Sequence, residues 1–301
     1  MSEAENVKEM QDEINKAIYD EFKEEIDNLK DFSWPFFFRV SEKYFENKEK
    51  RLVILGQETN QWSIDKSIDN VGLNKDNLIE KCIKKYDKFI GGDVDNPEAK
   101  TAENYQGNFW RFAKGLYGSG KYAIFPNEKM ISKRMIENEE KTELFHCWMN
   151  LYFIEKCQHK DDKSGRPSQN LGLAKVVKKK QKDLVKKVMW ELKPKVILAL
   201  TGYRQDDFLK LQLNKDMNFK EIGEFKKNQL GIAYTELQKE NEPQSHKVTV
   251  IRAYHPNYFM GLINGCKSLK RQFEDRVSSV SEIYQQTLQK ALKEALYGEK
   301  A

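Results

Sequence analysis

The sequence lacks any long hydrophobic run, since no apolar stretch approaches the ~20 residues needed to cross a membrane. Residues 1–30 are too acidic for a signal peptide. The four cysteines, Cys82, Cys147, Cys157 and Cys266, include no C-x-x-C pair, so neither a disulfide framework nor a zinc ribbon is indicated. These absences argue against a membrane protein and a disulfide-rich secreted domain. We therefore predict a reducing, cytoplasmic setting, with no metal and no cofactor.

The composition is that of a globular protein. A chain of 301 residues allows one large α/β domain or two small ones. Hydrophobic residues at 39% suffice for a packed core, and charged residues at 33% imply a well-solvated surface. Because we find no internal repeat and no linker, we predict a single domain. We also predict a monomer. It would comprise an N-terminal acidic helix (1–32), a core (50–275) and a C-terminal helix (276–301).

Charge is distributed unevenly along the chain. Residues 1–32 carry eleven acidic side chains and four lysines, a net charge of −7. The rest of the chain has 48 basic and 36 acidic side chains, a net charge of +12. A body this basic is suited to a polyanionic partner, from which the acidic segment would be held away. The alternative is an ordinary solubilising surface.

The most informative stretch is RLVILGQETNQW, at 51–62. The unbroken apolar run Leu52–Leu55, ended by Gly56, is typical of a strand buried on both faces. Five polar residues, Gln57–Gln61, follow directly, and in open α/β sheets ligands bind beyond the carboxyl ends of strands. This pattern indicates a ligand site. The alternative is a polar turn in which Thr59 or Asn60 caps the next helix.

Strand and helix patterns alternate along the chain, which predicts an α/β fold. We expect a three-layer α/β/α sandwich with a largely parallel central sheet and additional helices at both ends of the chain. Apolar runs predict strands at 51–56, 144–153, 196–200, 228–237 and 247–254. Amphipathic spacing predicts helices at 5–30, 75–90, 175–187, about 204–213 and 277–296.

Two further polar residues lie within or directly after predicted strands. Asn150 interrupts the apolar run LFHCWMNLYF, where an unpaired buried amide would cost ~1–3 kcal/mol. His255 follows the last predicted strand, in Tyr254-His255-Pro256. A parallel sheet can bring these residues together with Gln57–Gln61, although spacing alone does not establish one site.

These residues resemble the motifs of the uracil-DNA glycosylase superfamily. Its first motif, a buried strand running into G-Q-D-P-Y-H, G-E-x-P-G or G-x-N-P, is matched at residues 55–60, LGQETN. Its strand with a base-recognising asparagine is matched by Met149-Asn150-Leu151, and its P-x-V-I-x-x-x-G strand by residues 194–202. Its closing H-P-S motif is matched by His255-Pro256-Asn257. The four matches stand in the family's order and cover about residues 50–275.

The resemblance implies a monofunctional DNA glycosylase acting on a base flipped out of DNA. Glu58 would stabilise the oxocarbenium-like sugar or activate water, and His255 would donate to O2 of the leaving pyrimidine. The resemblance also implies contacts with the base from three residues, Gln57, Asn60 and Asn150. An apolar wedge would support the opened duplex, formed by Tyr258, Phe259 and Met260. No lysine stands in a motif position, so we do not predict a Schiff-base lyase.

One departure from the family pattern bears on the substrate. Thr59 and Asn60 replace the Pro-Tyr of the uracil enzymes, whose tyrosine excludes a 5-methyl group. The chain therefore looks more like the antiphage glycosylases that remove modified cytosines, such as glucosylated 5-hydroxymethylcytosine, from phage DNA. The alternatives are a uracil-DNA glycosylase for base excision repair, a non-catalytic reader of modified DNA and an enzyme acting on free nucleosides.

A lysine-rich stretch is the candidate contact with the phosphate backbone. Residues 175–187 contain seven lysines, of which we assign Lys178, Lys179 and Lys182 to binding double- or single-stranded DNA. The alternative is a solvated helix face with no partner.

Overall fold

The fold was analysed in a computed structural model of the chain. The structure describes residues 3–27, 35–40, 42–46, 48, 51–56, 75–90, 146–154, 177–181, 183–238, 243–254, 272 and 280–298. The helices are α1 (Glu3–Glu21), α2 (Lys23–Asp27), α3 (Glu42–Glu46), α4 (Lys75–Ile90), α5 (Leu184–Leu192), α6 (Asp206–Gln212) and α7 (Val280–Tyr297). The strands are β1 (Leu52–Gly56), β2 (His146–Asn150), β3 (Val196–Leu200), β4 (Lys220–Glu221), β5 (Gly231–Gln238) and β6 (Ser245–Arg252).

The six strands form one sheet in the order β2-β1-β3-β6-β5-β4. The first four strands in this order are parallel to one another. β5 runs antiparallel to β6, and β4 runs antiparallel to β5. Every residue of β1 and β3 is buried. Because side chains alternate between the two faces of a strand, both faces of the sheet are covered here.

The order of the strands also requires helices on both faces. From β1 the chain crosses to β2 on one side, and from β2 it returns past β1 to β3 on the other side. Right-handed crossovers in opposite directions place their connections on opposite faces of the sheet. α5 packs against β5, while α7 packs against β3 and β6. The predicted α/β/α sandwich with a largely parallel sheet and terminal helices is confirmed.

The N-terminal helices are integral to the core. Within their predicted apolar stripe, Ile14, Ile18, Phe22 and Ile26 are buried, Met10 is partly buried, and Leu29 lies outside the described residues. Gln11 binds the extended segment 35–40 through two hydrogen bonds: its Nε2 donates to Phe38 O at 2.7 Å, and its Oε1 accepts from Val40 N at 2.7 Å. The helix predicted over 5–30 is confirmed for residues 5–27, with one turn at Phe22 separating α1 from α2.

One sequence-based prediction is wrong, and one strand was not predicted. The continuous helix expected over 175–187 is wrong, because residues 177–180 are helical but Gln181 and Asp183 lie in turns before α5 begins. The short strand β4 was not predicted, since its two residues are exposed and carry no apolar pattern. In the described ranges, no helix combines the length and the apolar character needed to traverse a bilayer.

Candidate functional site at the carboxyl ends of the parallel strands

The carboxyl ends of the parallel strands lie together at one edge of the sheet. Gly56, the last residue of β1, is paired with Asn150 of β2 on one side and with Leu200 of β3 on the other. Arg252 of β6 is paired with Ala199 of β3, one residue further back. The ends of β1 and β6 are therefore two strand spacings apart, or about 10 Å.

The order of the strands identifies the position along this edge where a ligand is expected. The connection leaving β1 leads to β2 on one side, whereas the connections leaving β3 lead towards β6 on the other. In open α/β sheets, such a reversal opens a crevice beyond the strand ends, and ligands bind in it. Of the described residues, those bordering the crevice are Gly56 at the end of β1, Leu200 at the end of β3, and Thr201 and Gly202 after it.

Asn150, at the end of β2, lies against Gly56 and so beside this crevice, and its side-chain oxygen is unsatisfied. The residue is only 3% exposed, and its Oδ1 has no hydrogen-bond partner in the part of the chain that the structure describes. The Asn150 amide occupies space that a side chain at Gly56 would fill, since a Cβ there would overlap Oδ1 and approach Trp148 Cζ2 to 3.0 Å. Gly56 is therefore required for Asn150 to adopt this position.

The segment that follows Asn150 is fixed on several sides. Leu151 N donates to Gly56 O at 2.7 Å, which extends the pairing with β1 beyond the strand. The side chain of Gln181 donates to Leu151 O and accepts from Phe153 N. The hydroxyl of Tyr152 donates to Gln205 Oε1 at 3.0 Å. Asn150 therefore stands at the end of a tightly constrained strand.

The end of β3 contributes a second unsatisfied polar atom. Thr201 is 4% exposed, and its hydroxyl has no hydrogen-bond partner among the described residues. Gly202 follows at φ +63°, in the left-handed region that favours glycine, and a Cβ there would lie 3.3 Å from the Tyr254 ring. Gly202 N also donates to Ala253 O at 3.1 Å. These contacts join the turn after β3 to the residues after β6.

Tyr254 directly precedes His255, and hydrogen bonds hold both its backbone and its side chain. Its backbone N donates to the hydroxyl of Tyr284 in α7 at 3.1 Å. Its own hydroxyl donates to Asn228 O at 2.9 Å. The backbone that leads to His255 is thereby fixed relative to β3 and α7.

A buried arginine that sequence reasoning missed lies at the end of β6. Arg252 is fully buried, and its Nε lies 3.1 Å from Asp206 Oδ1, at ion-pair distance but without the alignment of a hydrogen bond. Its Nη2 donates to Lys227 O. Burial raises the pKa of Asp206, and the charge of Arg252 opposes that shift. An arginine within the apolar run VTVIRAY was the signal available in the sequence.

The lysines of the helical turn 177–180 have three different environments. Lys178 Nζ lies 5.1 Å from the centroid of the Phe208 ring, and burial lowers the pKa of Lys178 despite the charge of Asp207. Lys180 forms ion pairs with Glu24 at 2.9 Å and Glu25 at 2.6 Å. Lys179 is exposed, and no ion pair or hydrogen bond joins its side chain to another of the described residues.

The acidic N-terminal segment thus meets the lysine-rich stretch directly. Burial alone would lower the pKa of Lys180, but the hydrogen bonds and charges of Glu25 and Glu24 outweigh burial and raise it. The segment expected to be held away from a polyanion therefore neutralises part of the basic surface within the molecule. Of the assigned lysines that the structure describes, Lys179 is the one best placed to meet a phosphate.

The other predicted site residues lie outside the described residues, and their assignments stay predictions. They are Gln57, Glu58, Asn60, Lys182, His255, Tyr258, Phe259 and Met260. The structure does describe the residues on either side of the catalytic candidates, since Gly56 directly precedes Gln57 and Tyr254 directly precedes His255. Within the described ranges, no group of three or more metal-binding side chains occurs.

Comparison of the chain with protein-family models, with curated proteins and with solved structures finds no match. The assignment of function therefore rests on the sequence motifs and on the geometry of the strand ends.

Proposed function

We propose that the protein is a DNA glycosylase that hydrolyses the N-glycosidic bond of a flipped, modified pyrimidine and leaves an abasic site. The observation that carries the proposal is the side chain of Asn150. Its Oδ1 is enclosed and has no partner among the described residues, and it lies next to Gly56, close to the position in the sheet where ligands bind.

An enclosed, unpaired amide is costly unless a ligand satisfies it. A buried polar atom without a partner costs about 1–3 kcal/mol. A carboxamide has both donors and an acceptor, so it can form paired hydrogen bonds with the Watson–Crick edge of a pyrimidine. A base reaches such an enclosed group only after it has left the DNA stack. Asn150 therefore supports recognition of a flipped base over recognition of an intact duplex.

The proposed catalytic residues, Glu58 and His255, follow the ends of β1 and β6 in the sequence. Glu58, two residues beyond Gly56 in the sequence, would act on the sugar side, where a carboxylate stabilises the oxocarbenium-like transition state or activates water. His255 lies directly after Tyr254, where a ring N–H can donate to O2 of the departing base as negative charge collects there. The spacing of about 10 Å between the two strand ends suits residues acting from opposite sides of one nucleotide.

Lys179 provides the test of DNA contact. We expect Lys179→Ala to weaken binding to all DNA sequences alike, roughly three- to tenfold at low salt, because a phosphate contact carries no sequence information. The slope of log affinity against log salt concentration is expected to fall by about one. Fluorescence anisotropy over a series of salt concentrations measures both quantities.

Lys290→Ala is the matched control for Lys179→Ala. Lys290 is an exposed lysine of α7, so the substitution removes the same charge from a different element. Equal effects of the two substitutions on affinity and on the salt slope would show that only net charge matters, and would remove Lys179 from the proposed DNA contact.

The proposed substrate is a cytosine modified at C5, with glucosylated 5-hydroxymethylcytosine in phage DNA as the leading case. Asn60 stands where the uracil enzymes place a tyrosine that excludes 5-substituents, and a smaller polar side chain leaves room for hydrogen bonds to a substituent. A site built to bind hydroxyl groups rejects a base that lacks them, because its own polar groups are then left unpaired. Such an enzyme would act as a cytoplasmic monomer in antiviral defence.

A single comparison tests the reaction and the substrate together. The protein is incubated with matched DNAs that contain uracil, unmodified cytosine or glucosylated 5-hydroxymethylcytosine, and released bases and abasic sites are measured under single-turnover conditions. We expect the glucosylated base to be released fastest. Uracil released at least as fast would instead identify a repair enzyme. Selective binding of the glucosylated DNA without release of any base would identify a non-catalytic reader.

A further inference from the structure

The segment that carries Asn150 is held by a residue of the lysine-rich stretch. Gln181 is fully buried, although it stands among lysines in the sequence. Its Nε2 donates to Leu151 O at 2.5 Å, and its Oε1 accepts from Phe153 N at 3.3 Å. One side-chain amide thus binds the backbone on both sides of Tyr152.

This pair of bonds satisfies buried backbone groups just beyond the end of β2. Among the described strands, β2 lies at the edge of the sheet and pairs with β1. Buried backbone groups beyond a strand end need hydrogen-bond partners. Gln181 supplies them to Leu151 O and Phe153 N, while Leu151 N donates to Gly56 O. The backbone that follows Asn150 is therefore held by β1 and by Gln181 together.

The same short turn connects Gln181 to the candidate phosphate contact. Gln181 N donates to Val177 O at 3.0 Å, so Gln181 closes the helical turn that presents Lys179. The turn is also linked to the exit from β2 through Lys178, because Phe208 beneath Lys178 stacks on Tyr152 with ring centroids 4.9 Å apart. The helical turn ends at residue 180, and Gln181 and Asp183 lie in turns before α5 begins, which separates this turn from α5.

We infer that Gln181 is a positioning residue that couples phosphate contact at Lys179 to base recognition by Asn150. The inference rests on the proposed function, and Gln181 itself touches neither phosphate nor base. When the turn at 177–181 binds the DNA backbone, Gln181 holds residues 151–153 in a fixed position relative to that turn. Asn150 is thereby fixed against the flipped base. The glutamine contributes to the rate of base release and little to the affinity for DNA.

The test compares Gln181→Leu, which loses both bonds, with Gln181→Glu, which keeps an acceptor for Phe153 N but has no donor for Leu151 O. Gln212→Leu is the matched control, because Gln212 is equally buried and its amide has no partner among the described residues. At saturating protein, we expect Gln181→Leu to slow base release at least tenfold and Gln181→Glu to be intermediate. The dissociation constant for DNA is expected to stay within threefold for both variants, and Gln212→Leu to release base at the wild-type rate.

A double-mutant cycle with Lys179 separates coupling from simple stabilisation. Lys179→Ala is expected to slow base release at saturating protein in the wild-type background and to have a clearly smaller effect in the Gln181→Glu background. A folded Gln181→Leu variant with the rate of Gln212→Leu, or additive effects of Lys179→Ala and Gln181→Glu, would overturn the inference. If Gln181→Leu does not fold, a wild-type rate for Gln181→Glu would overturn it equally. A wild-type protein that releases no base would instead refute the proposed function, and the inference with it.

Discussion

Replacing Glu58 with glutamine is expected to abolish base release while DNA binding is retained. The substitution preserves size and hydrogen-bonding capacity but removes the negative charge that would oppose the developing oxocarbenium ion. Losing well-placed electrostatic or general-base assistance typically lowers a rate by about 10²–10⁴-fold. Single-turnover release of the base from DNA, measured together with the dissociation constant for the same DNA, gives both effects.

The control for Glu58→Gln is Glu236→Gln, which removes one carboxylate from an exposed position of β5. That variant should release base at the wild-type rate. If Glu58→Gln also stays within a few-fold of the wild type, Glu58 has no role in the chemical step, and the carboxylate at this position serves only the turn after β1.

Replacing Asn150 with leucine is expected to affect stability and activity in opposite directions. Leucine has nearly the shape of asparagine, and it removes a buried oxygen that has no partner among the described residues. Replacing an unsatisfied polar group by an apolar group of the same shape is neutral or stabilising, here by up to about 1 kcal/mol. Base release is expected to fall by about 10²-fold or more, because the amide that would bind the base is gone. Urea unfolding and single-turnover kinetics measure the two effects.

Gln212→Leu separates the two consequences of that change. Gln212 is also buried with an unpartnered amide, but it lies at the end of α6 and not at the end of a strand. It should show the gain in stability without the loss of activity. A purely structural role for Asn150 would give the reverse of our expectation: Asn150→Leu would unfold at a lower urea concentration, while the folded fraction kept its activity.

The parts of the fold that the sequence predicted are those in which local pattern and burial agree. Leu52–Leu55 and Val196–Leu200 are apolar on both faces, and this pattern occurs in strands enclosed by helices. Asn150 was identifiable as a candidate because a polar residue within an apolar run must either find a partner or serve a ligand. In each case the informative signal lies within about ten residues of sequence.

The parts that could not be predicted depend on distant contacts. The helical turn at 177–180 ends at Gln181, whose side chain bonds to residues 151 and 153, about thirty positions earlier in the chain. Lys178 and Lys180 look like solvated lysines until Phe208 and Glu25 are placed beside them. Helical periodicity contains no information about either partner, so the sequence could not separate Lys179 from its neighbours.

The central position of β1 also affects how the protein is made. β1 is synthesised first, yet both of its neighbours in the sheet, β2 and β3, come much later in the chain. At about 5–20 residues per second, translation takes roughly 5–20 s to proceed from residue 56 to residue 150, where β2 ends. During that interval the apolar segment Leu52–Leu55 has neither of its neighbouring strands to pair with, which favours association between nascent chains. Slower initiation or a lower growth temperature should therefore raise the soluble yield more than a change to the surface of the finished protein.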